Sequence, residues 1–143
     1  MKQHELIYTL DTVSDIVDDL VQIMGRCKIL TFTGTLGAGK TTLIQAILRY
    51  YGITQTIQSP TFTYMNTYAD SQGHTFYHFD LYRMKSAQEF YEMGFQEYLS
   101  QPNSWVFIEW PEIIMSELKH NVCHIAIDYH GFDRRKLRYY IQE

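Results

Sequence analysis

The chain has no surplus of positive charge. Its 143 residues carry 12 lysines and arginines against 16 aspartates and glutamates, a net charge of −4. That argues against a dedicated nucleic-acid-binding face, whose usual footprint is a basic patch, and does not exclude a polyanion being handled by a partner. Long apolar runs are missing too. None approaches the ~20 residues that cross a bilayer, so no membrane partner is expected. The start Met1-Lys2-Gln3-His4-Glu5 has neither the basic opening nor the apolar core of a signal peptide. A cytoplasmic location follows as the expectation. Cysteine is scarce: Cys27 and Cys123 lie far apart, match no metal or redox spacing, and read as buried free thiols. There is no linker, internal repeat or low-complexity segment. The hydrophobic share of 45% and charged share of 20% are ordinary for a globular protein. A single domain over 1–143 is expected, long enough to bury about two-thirds of its unfolded surface.

Periodicity supplies the elements. A short strand is read at 5–10. A helix follows at 12–24, with Val13, Ile16, Val17, Leu20, Val21 and Met24 on one side and Asp15, Asp18 and Asp19 on the other. Thr12 or Ser14 can cap its start, and Gly25 suits its end. A strand at 28–33 and a helix at 42–49, closed by Gly52, complete a βαβα opening that favours a sheet sandwiched by helices. The β-rich runs 62–68 and 75–82, joined by a short glycine-containing loop, form a hairpin and make the sheet mixed. Helices are read at 86–93 and 95–100, separated by Gly94. The continuous apolar run 104–110 reads as a strand buried on both faces, central and beside the 28–33 strand. Pro111 opens a short helix with Ile113, Ile114 and Leu118. Strands at 122–129 and 136–141 close the chain as another hairpin.

Between the first strand–helix junctions lies Gly34-Thr35-Leu36-Gly37-Ala38-Gly39-Lys40-Thr41, a Walker A phosphate-binding loop with a strand before it and a helix after it. The glycines let backbone N–H groups converge on phosphate oxygens, and the helix N-terminus adds about half a positive charge. The nucleotide-binding set is therefore Gly34, Leu36, Gly37, Ala38, Gly39, Lys40, Thr41 and Thr42. Lys40 reaches the outer phosphates, and the Thr41 hydroxyl ligates the accompanying magnesium ion.

Such a loop needs acidic help for the metal and the attacking water. Glu109 ends the apolar strand, where a Walker B carboxylate sits, and is read as the magnesium-side acid. Asp80 ends the alternating run Phe76-Tyr77-His78-Phe79; it can orient water, act as a base or join the metal's surroundings, or it can cap the next segment as a turn aspartate. Ser59-Pro60-Thr61 lies where a nucleotide-sensing segment would sit, offering Thr61 to phosphate and metal; a plain strand-entry turn is the equal alternative. Arg134, Arg135, Lys136 and Arg138, the one basic cluster, read as a solvated hairpin face, with contact to phosphate, adenine or a partner as the alternative. The six histidines form no ligand pattern, and His78 and His124 read as ordinary strand residues.

Taken together, Gly37-Ala38-Gly39-Lys40-Thr41-Thr42, Ser59-Pro60-Thr61, His78-Phe79-Asp80-Leu81-Tyr82-Arg83 and Ile108-Glu109-Trp110-Pro111-Glu112 resemble the TsaE (YjeE) family, small bacterial P-loop ATPases of tRNA threonylcarbamoyladenosine biosynthesis. The resemblance implies an α/β, P-loop NTPase-like three-layer fold with a mixed central sheet. It implies ATP and Mg2+ binding, with slow ATP hydrolysis in a complex with TsaB and TsaD whose turnover on tRNA it supports. By position, Lys40 and Thr41 would meet phosphates and metal, Glu109 the metal, Asp80 the catalytic centre and its metal, and Thr61 a switch-like segment. Trp110 would support the site beside Glu109. One departure is Thr35, where the family often has an acidic residue.

Two other readings share the loop. A small-molecule kinase needs an acceptor pocket and an arginine-bearing lid, for which only Arg83 and the Arg134 cluster are available. A GTPase-like switch normally carries an Asn-Lys-x-Asp base-reading element, and the sequence contains none.

Overall fold

A computed structural model describes residues 2–60 and 62–143. The elements run β1 (His4–Tyr8), α1 (Val13–Ile23), β2 (Ile29–Thr33), α2 (Lys40–Tyr50), β3 (Met65–Ala69), β4 (Thr75–Asp80), α3 (Ala87–Glu92), β5 (Ser104–Glu109), β6 (Val122–Tyr129) and β7 (Arg135–Gln142), with 3-10 turns at Leu10–Thr12, Phe95–Ser100 and Pro111–Glu117. The strands form one seven-stranded sheet in the order β1-β7-β6-β2-β5-β4-β3. β2 pairs in parallel with β5 and β6, and β4 in parallel with β5. The outer pairs β1–β7, β6–β7 and β3–β4 are antiparallel. The sheet is thus mixed, as the two hairpins required.

One apolar cluster holds Ile16, Val17 and Leu20 of α1 with Leu43, Ile44 and Ile47 of α2 against Leu30, Phe32 and Phe107. A second packs Phe90, Phe95 and Ile114 against Ile29, Phe79 and Ile108. Neighbouring β5 residues divide between the two clusters, which explains its unbroken apolar run. Val106, Phe107 and Ile108 are all fully buried, each contributing about 1.5–3 kcal/mol of transfer free energy. The P-loop NTPase-like three-layer architecture follows.

Several boundaries differ from the periodicity reading, each for a local reason. The first strand stops at Tyr8, because Thr12 Oγ1 accepts the Thr9 N–H at 2.9 Å and winds the 3-10 turn that precedes α1. That bond, rather than a Thr12 or Ser14 cap on the helix, makes the junction. Residues 62–64 are not strand: the Tyr64 N–H donates to the Pro60 carbonyl at 2.8 Å and Tyr64 has a φ of 67°. β4 stops at Asp80, whose Oδ1 accepts the Tyr82 N–H at 3.0 Å and turns the chain. β5 stops at Glu109 because Trp110 is left-handed, with a φ of 55°. The 95–100 and 111–117 segments are 3-10 rather than α-helical.

The connection from β2 to α2 is held from behind by β6. A Cβ on Gly34 would stand 2.3 Å from the Ile127 carbonyl oxygen, and its φ of 147° is one that side-chain-bearing residues rarely adopt. Gly34→Ala is expected to lower stability by about 2 kcal/mol or more, read as a fall in urea midpoint; an unchanged midpoint would contradict this close approach. Cys27 and Cys123 are buried free thiols. Burial pushes Cys123 up to about 12 and also raises Cys27. Iodoacetamide at about pH 8 should therefore label neither cysteine in the folded chain and both in denaturant, because the thiolate is the reacting form.

Candidate functional site

The site lies at the carboxyl ends of β2, β4 and β5, where open α/β sheets bind ligands. Register places its parts. Phe32 of β2 stands opposite Glu109 of β5, and Glu109 stands opposite Asp80 of β4. Two carboxylates therefore sit side by side on adjacent parallel strands, both nearly fully buried. α2 begins beside them. Its N-terminus has no side-chain cap and no acidic residue in the first turn, an arrangement whose first N–H groups and positive dipole end suit an anion.

Lys40 opens α2 and is itself buried. Its ammonium donates to the carbonyls of Gly34 at 2.6 Å and Thr35 at 3.1 Å, and lies 4.2 Å from the centre of the Trp110 ring. Burial depresses its pKa below the ordinary lysine value, against the opposing pull of Glu109, Asp80 and Glu112. A partly desolvated ammonium of this kind is relieved by an incoming anion. The Trp110 ring also packs on Tyr82 at 4.8 Å, so the strained left-handed residue after β5 forms a wall of the site.

The Thr41 hydroxyl donates to Glu109 at 2.9 Å to Oε1 and 3.0 Å to Oε2. Glu109 Oε2 also meets His78 Nε2 at 2.6 Å. Asp80 accepts from the Ser59 hydroxyl through Oδ2 and from the Tyr82 N–H through Oδ1. A cleft of about 370 Å³ opens over these groups, lined by Leu36, Gly37, Gly39, Lys40, Thr41 and Thr42 on one side and by Ser59, Asp80, Tyr82, Arg83, Glu109 and Trp110 on the other.

The sequence-derived residues divide accordingly. Lys40, Thr41, Thr42, Leu36, Gly37, Gly39, Asp80 and Glu109 share this cleft. Ala38 is fully buried and turns to a second cavity, while Gly34 lies behind the loop against β6. Thr61 lies outside the described residues. Among the described residues no cluster of three histidine, cysteine or acidic side chains could cage a metal. The hard oxygens of Thr41 and Glu109, converging within 3.0 Å, fit Mg2+, which is usually held by one or two protein groups together with phosphates and water.

Two expectations are corrected. His78 and His124 are not ordinary strand residues: His78 is fully buried against Glu109, and His124 bridges Thr31 and Gln142 at 2.8 Å each. Nor is the basic cluster merely a solvated face. Arg135 Nε donates to the Ala38 carbonyl at 3.2 Å, the Tyr129 hydroxyl donates to the Gly37 carbonyl at 2.9 Å, and the guanidinium stacks 4.3 Å from the Tyr129 ring centre. Arg138 pairs with Glu5 and Asp128. For His78 a signal existed: it precedes Asp80 by two positions on one strand, and therefore shares its face. The second cavity, about 510 Å³, had none. It joins Leu10 and Val13 at the chain's start to Phe132 and Arg135 near its end, touching Gly37 and Gly39 of the loop and Thr42 of α2.

A family model for "Threonylcarbamoyl adenosine biosynthesis protein TsaE" matches residues 7–137. The tRNA threonylcarbamoyladenosine biosynthesis protein TsaE of Rickettsia conorii is 45% identical over 96 residues, which make up 66% of this chain and 53% of that protein. The protein of that name from Bacillus subtilis is 35% identical over 111 residues, covering 78% and 68% of the two chains. The match thus spans about half the length of the Rickettsia protein. A crystal structure of Bacillus subtilis YdiB aligns with a TM-score of 0.73 at 27% identity, covering 96% of this chain and 84% of that one. The matched span runs from β1 to β7 and takes in the phosphate loop, Asp80 and Glu109, and the chain belongs to the TsaE family.

Proposed function

We propose that this chain binds ATP with Mg2+ and hydrolyses it slowly, acting with TsaB and TsaD in tRNA threonylcarbamoyladenosine biosynthesis and sustaining their turnover. The observation that carries the reading is the convergence of Lys40, the Thr41 hydroxyl and the Glu109 carboxylate at one uncapped helix N-terminus. Relatives named for that biosynthesis support the pathway. A net charge of −4 is consistent with tRNA being met through partners. No helix among the described residues is long and apolar enough to cross a membrane.

The loop amides and the α2 N-terminus bind the phosphates. Lys40 exchanges its carbonyl partners for outer phosphate oxygens and neutralises charge that develops during transfer. Thr41 and Glu109 would hold Mg2+, which supplies further charge neutralisation across the phosphates when bound. Asp80 faces the same cleft, held by Ser59 and the Tyr82 N–H, and orients the attacking water. The nucleoside reaches the second cavity, since both cavities share Gly37, Gly39 and Thr42. Leu10 and Phe132 offer exposed apolar surface there for a base. Thr61, as part of the segment after Ser59-Pro60, completes the proposed set as a phosphate-sensing hydroxyl.

The decisive measurement is phosphate release from ATP by the chain alone and with TsaB and TsaD. Slow release alone, faster or controlled release in the mixture, and a fall of about a hundredfold or more in Lys40→Ala are expected. Full hydrolysis and tRNA modification by Lys40→Ala would sink the reading. The two acids should separate by calorimetry. Glu109→Gln is expected to weaken Mg2+-dependent nucleotide binding by about tenfold or more, whereas Asp80→Asn should spare binding and slow hydrolysis; the opposite pattern would reverse their roles.

A further inference from the structure

We propose that His78 is a positioning residue for the magnesium-side carboxylate. Its Nε2–H fixes Glu109 against Thr41, and this single donor sets how well the cleft responds to Mg2+. The inference rests on the reading that the cleft binds a nucleotide with Mg2+, and it adds a residue that touches neither.

The geometry is specific. His78 has no exposed surface and lies on the same face of β4 as Asp80, two positions away. Its Nε2 stands 2.6 Å from Glu109 Oε2. A contact that short between an imidazole nitrogen and a carboxylate oxygen needs a proton between them, and the Nε2–H tautomer supplies it. Nδ1 then carries only a lone pair, and it has no hydrogen-bond partner among the described residues. Buried polar atoms are normally satisfied. Here one nitrogen is left unmatched while the other makes a short bond to the acid.

Thr41 cannot do this work alone. It has one hydroxyl hydrogen to offer, and the two Glu109 oxygens stand almost equally far from its Oγ1, at 2.9 and 3.0 Å. That arrangement leaves the carboxylate free to swing about its terminal torsion, which is broad for glutamate. A second donor bound to Oε2 only, from a side chain locked in the sheet, removes the freedom and leaves Oε1 the less engaged oxygen. Such supporting donors commonly change metal affinity by 10- to 100-fold when lost.

The test compares His78→Phe, which keeps a ring and removes the donor, with His78→Gln, which restores an N–H of similar reach. Binding of a non-hydrolysable ATP analogue is measured by calorimetry across a Mg2+ series and again in EDTA. His78→Phe should raise the Mg2+ concentration needed for half-maximal enhancement by about tenfold or more, with EDTA binding unchanged and His78→Gln recovering most of the difference. An unchanged Mg2+ dependence in His78→Phe, an equal loss in both arms, or His78→Gln behaving like His78→Phe would each overturn the positioning role. A wild-type chain that binds the analogue indifferently to Mg2+ would instead overturn the nucleotide–magnesium reading beneath it.

Discussion

The Glu109 carboxylate is the point at which three elements are tied. It ends β5, receives the Thr41 hydroxyl from the first turn of α2, and meets the His78 imidazole from β4. A buried carboxylate without such partners would carry a large desolvation penalty. The cost is met only if β4, β5 and α2 keep their present register. Moving β5 by one residue against β2 would remove Glu109 from Phe32 and from the loop, and would turn every β5 side chain to the wrong face. The central parallel strands, whose side chains fill both apolar clusters, therefore also fix the chemistry.

Charge around that point is crowded by design of the sheet. Asp80 and Glu109 are neighbours in the parallel register, with Lys40 between the loop carbonyls and the Trp110 ring. Two adjacent buried acids repel one another, and each is quieted by its own donors: Ser59 and the Tyr82 N–H for Asp80, His78 and Thr41 for Glu109. Lys40 is shared between them electrostatically but hydrogen-bonds neither of them. Two of its donors are held by the Gly34 and Thr35 carbonyls, and its depressed pKa follows from burial outweighing the attraction of the acids. An ammonium in that condition gains more from a phosphate than a fully hydrated one would.

How much of this was legible in the sequence depends on the range of each interaction. The phosphate loop is one contiguous segment whose parts interact locally, so spacing alone placed Lys40 and Thr41 at its end, directly before the helix read at 42–49; α2 in fact begins two residues earlier, at Lys40. β5 was legible as a central strand because burial on both faces forbids polar alternation. The boundaries near Tyr8, Tyr64 and Asp80 were less so, since single hydrogen bonds to Thr12 and Asp80 end β1 and β4, and one to Pro60 delays the start of β3, without altering the apolar pattern. The roles of Arg135 and Tyr129 were illegible. Separations of 92 and 97 residues lie between them and the loop carbonyls they contact, and no local period encodes a contact at that distance.

Those two residues show what the rear of the phosphate loop requires. A trans peptide points its C=O and N–H in opposite directions. When Arg135 holds the Ala38 carbonyl, the Gly39 N–H of the same peptide must point away from Arg135; when Tyr129 holds the Gly37 carbonyl, the preceding peptide is fixed as well, its Ala38 N–H donating to the Thr35 carbonyl at 3.1 Å. Gly37 takes a φ of 79°, which favours glycine for the turn, and a Cβ there would stand 2.9 Å from the Tyr129 hydroxyl and push that side-chain tip aside. A glycine-rich loop has the largest conformational entropy to lose on ordering. The β6–β7 hairpin removes much of that freedom before any anion arrives. The loop's flexibility in sequence and its fixed shape in the fold are therefore compatible: glycine permits the conformation, and a distant arginine and tyrosine select it.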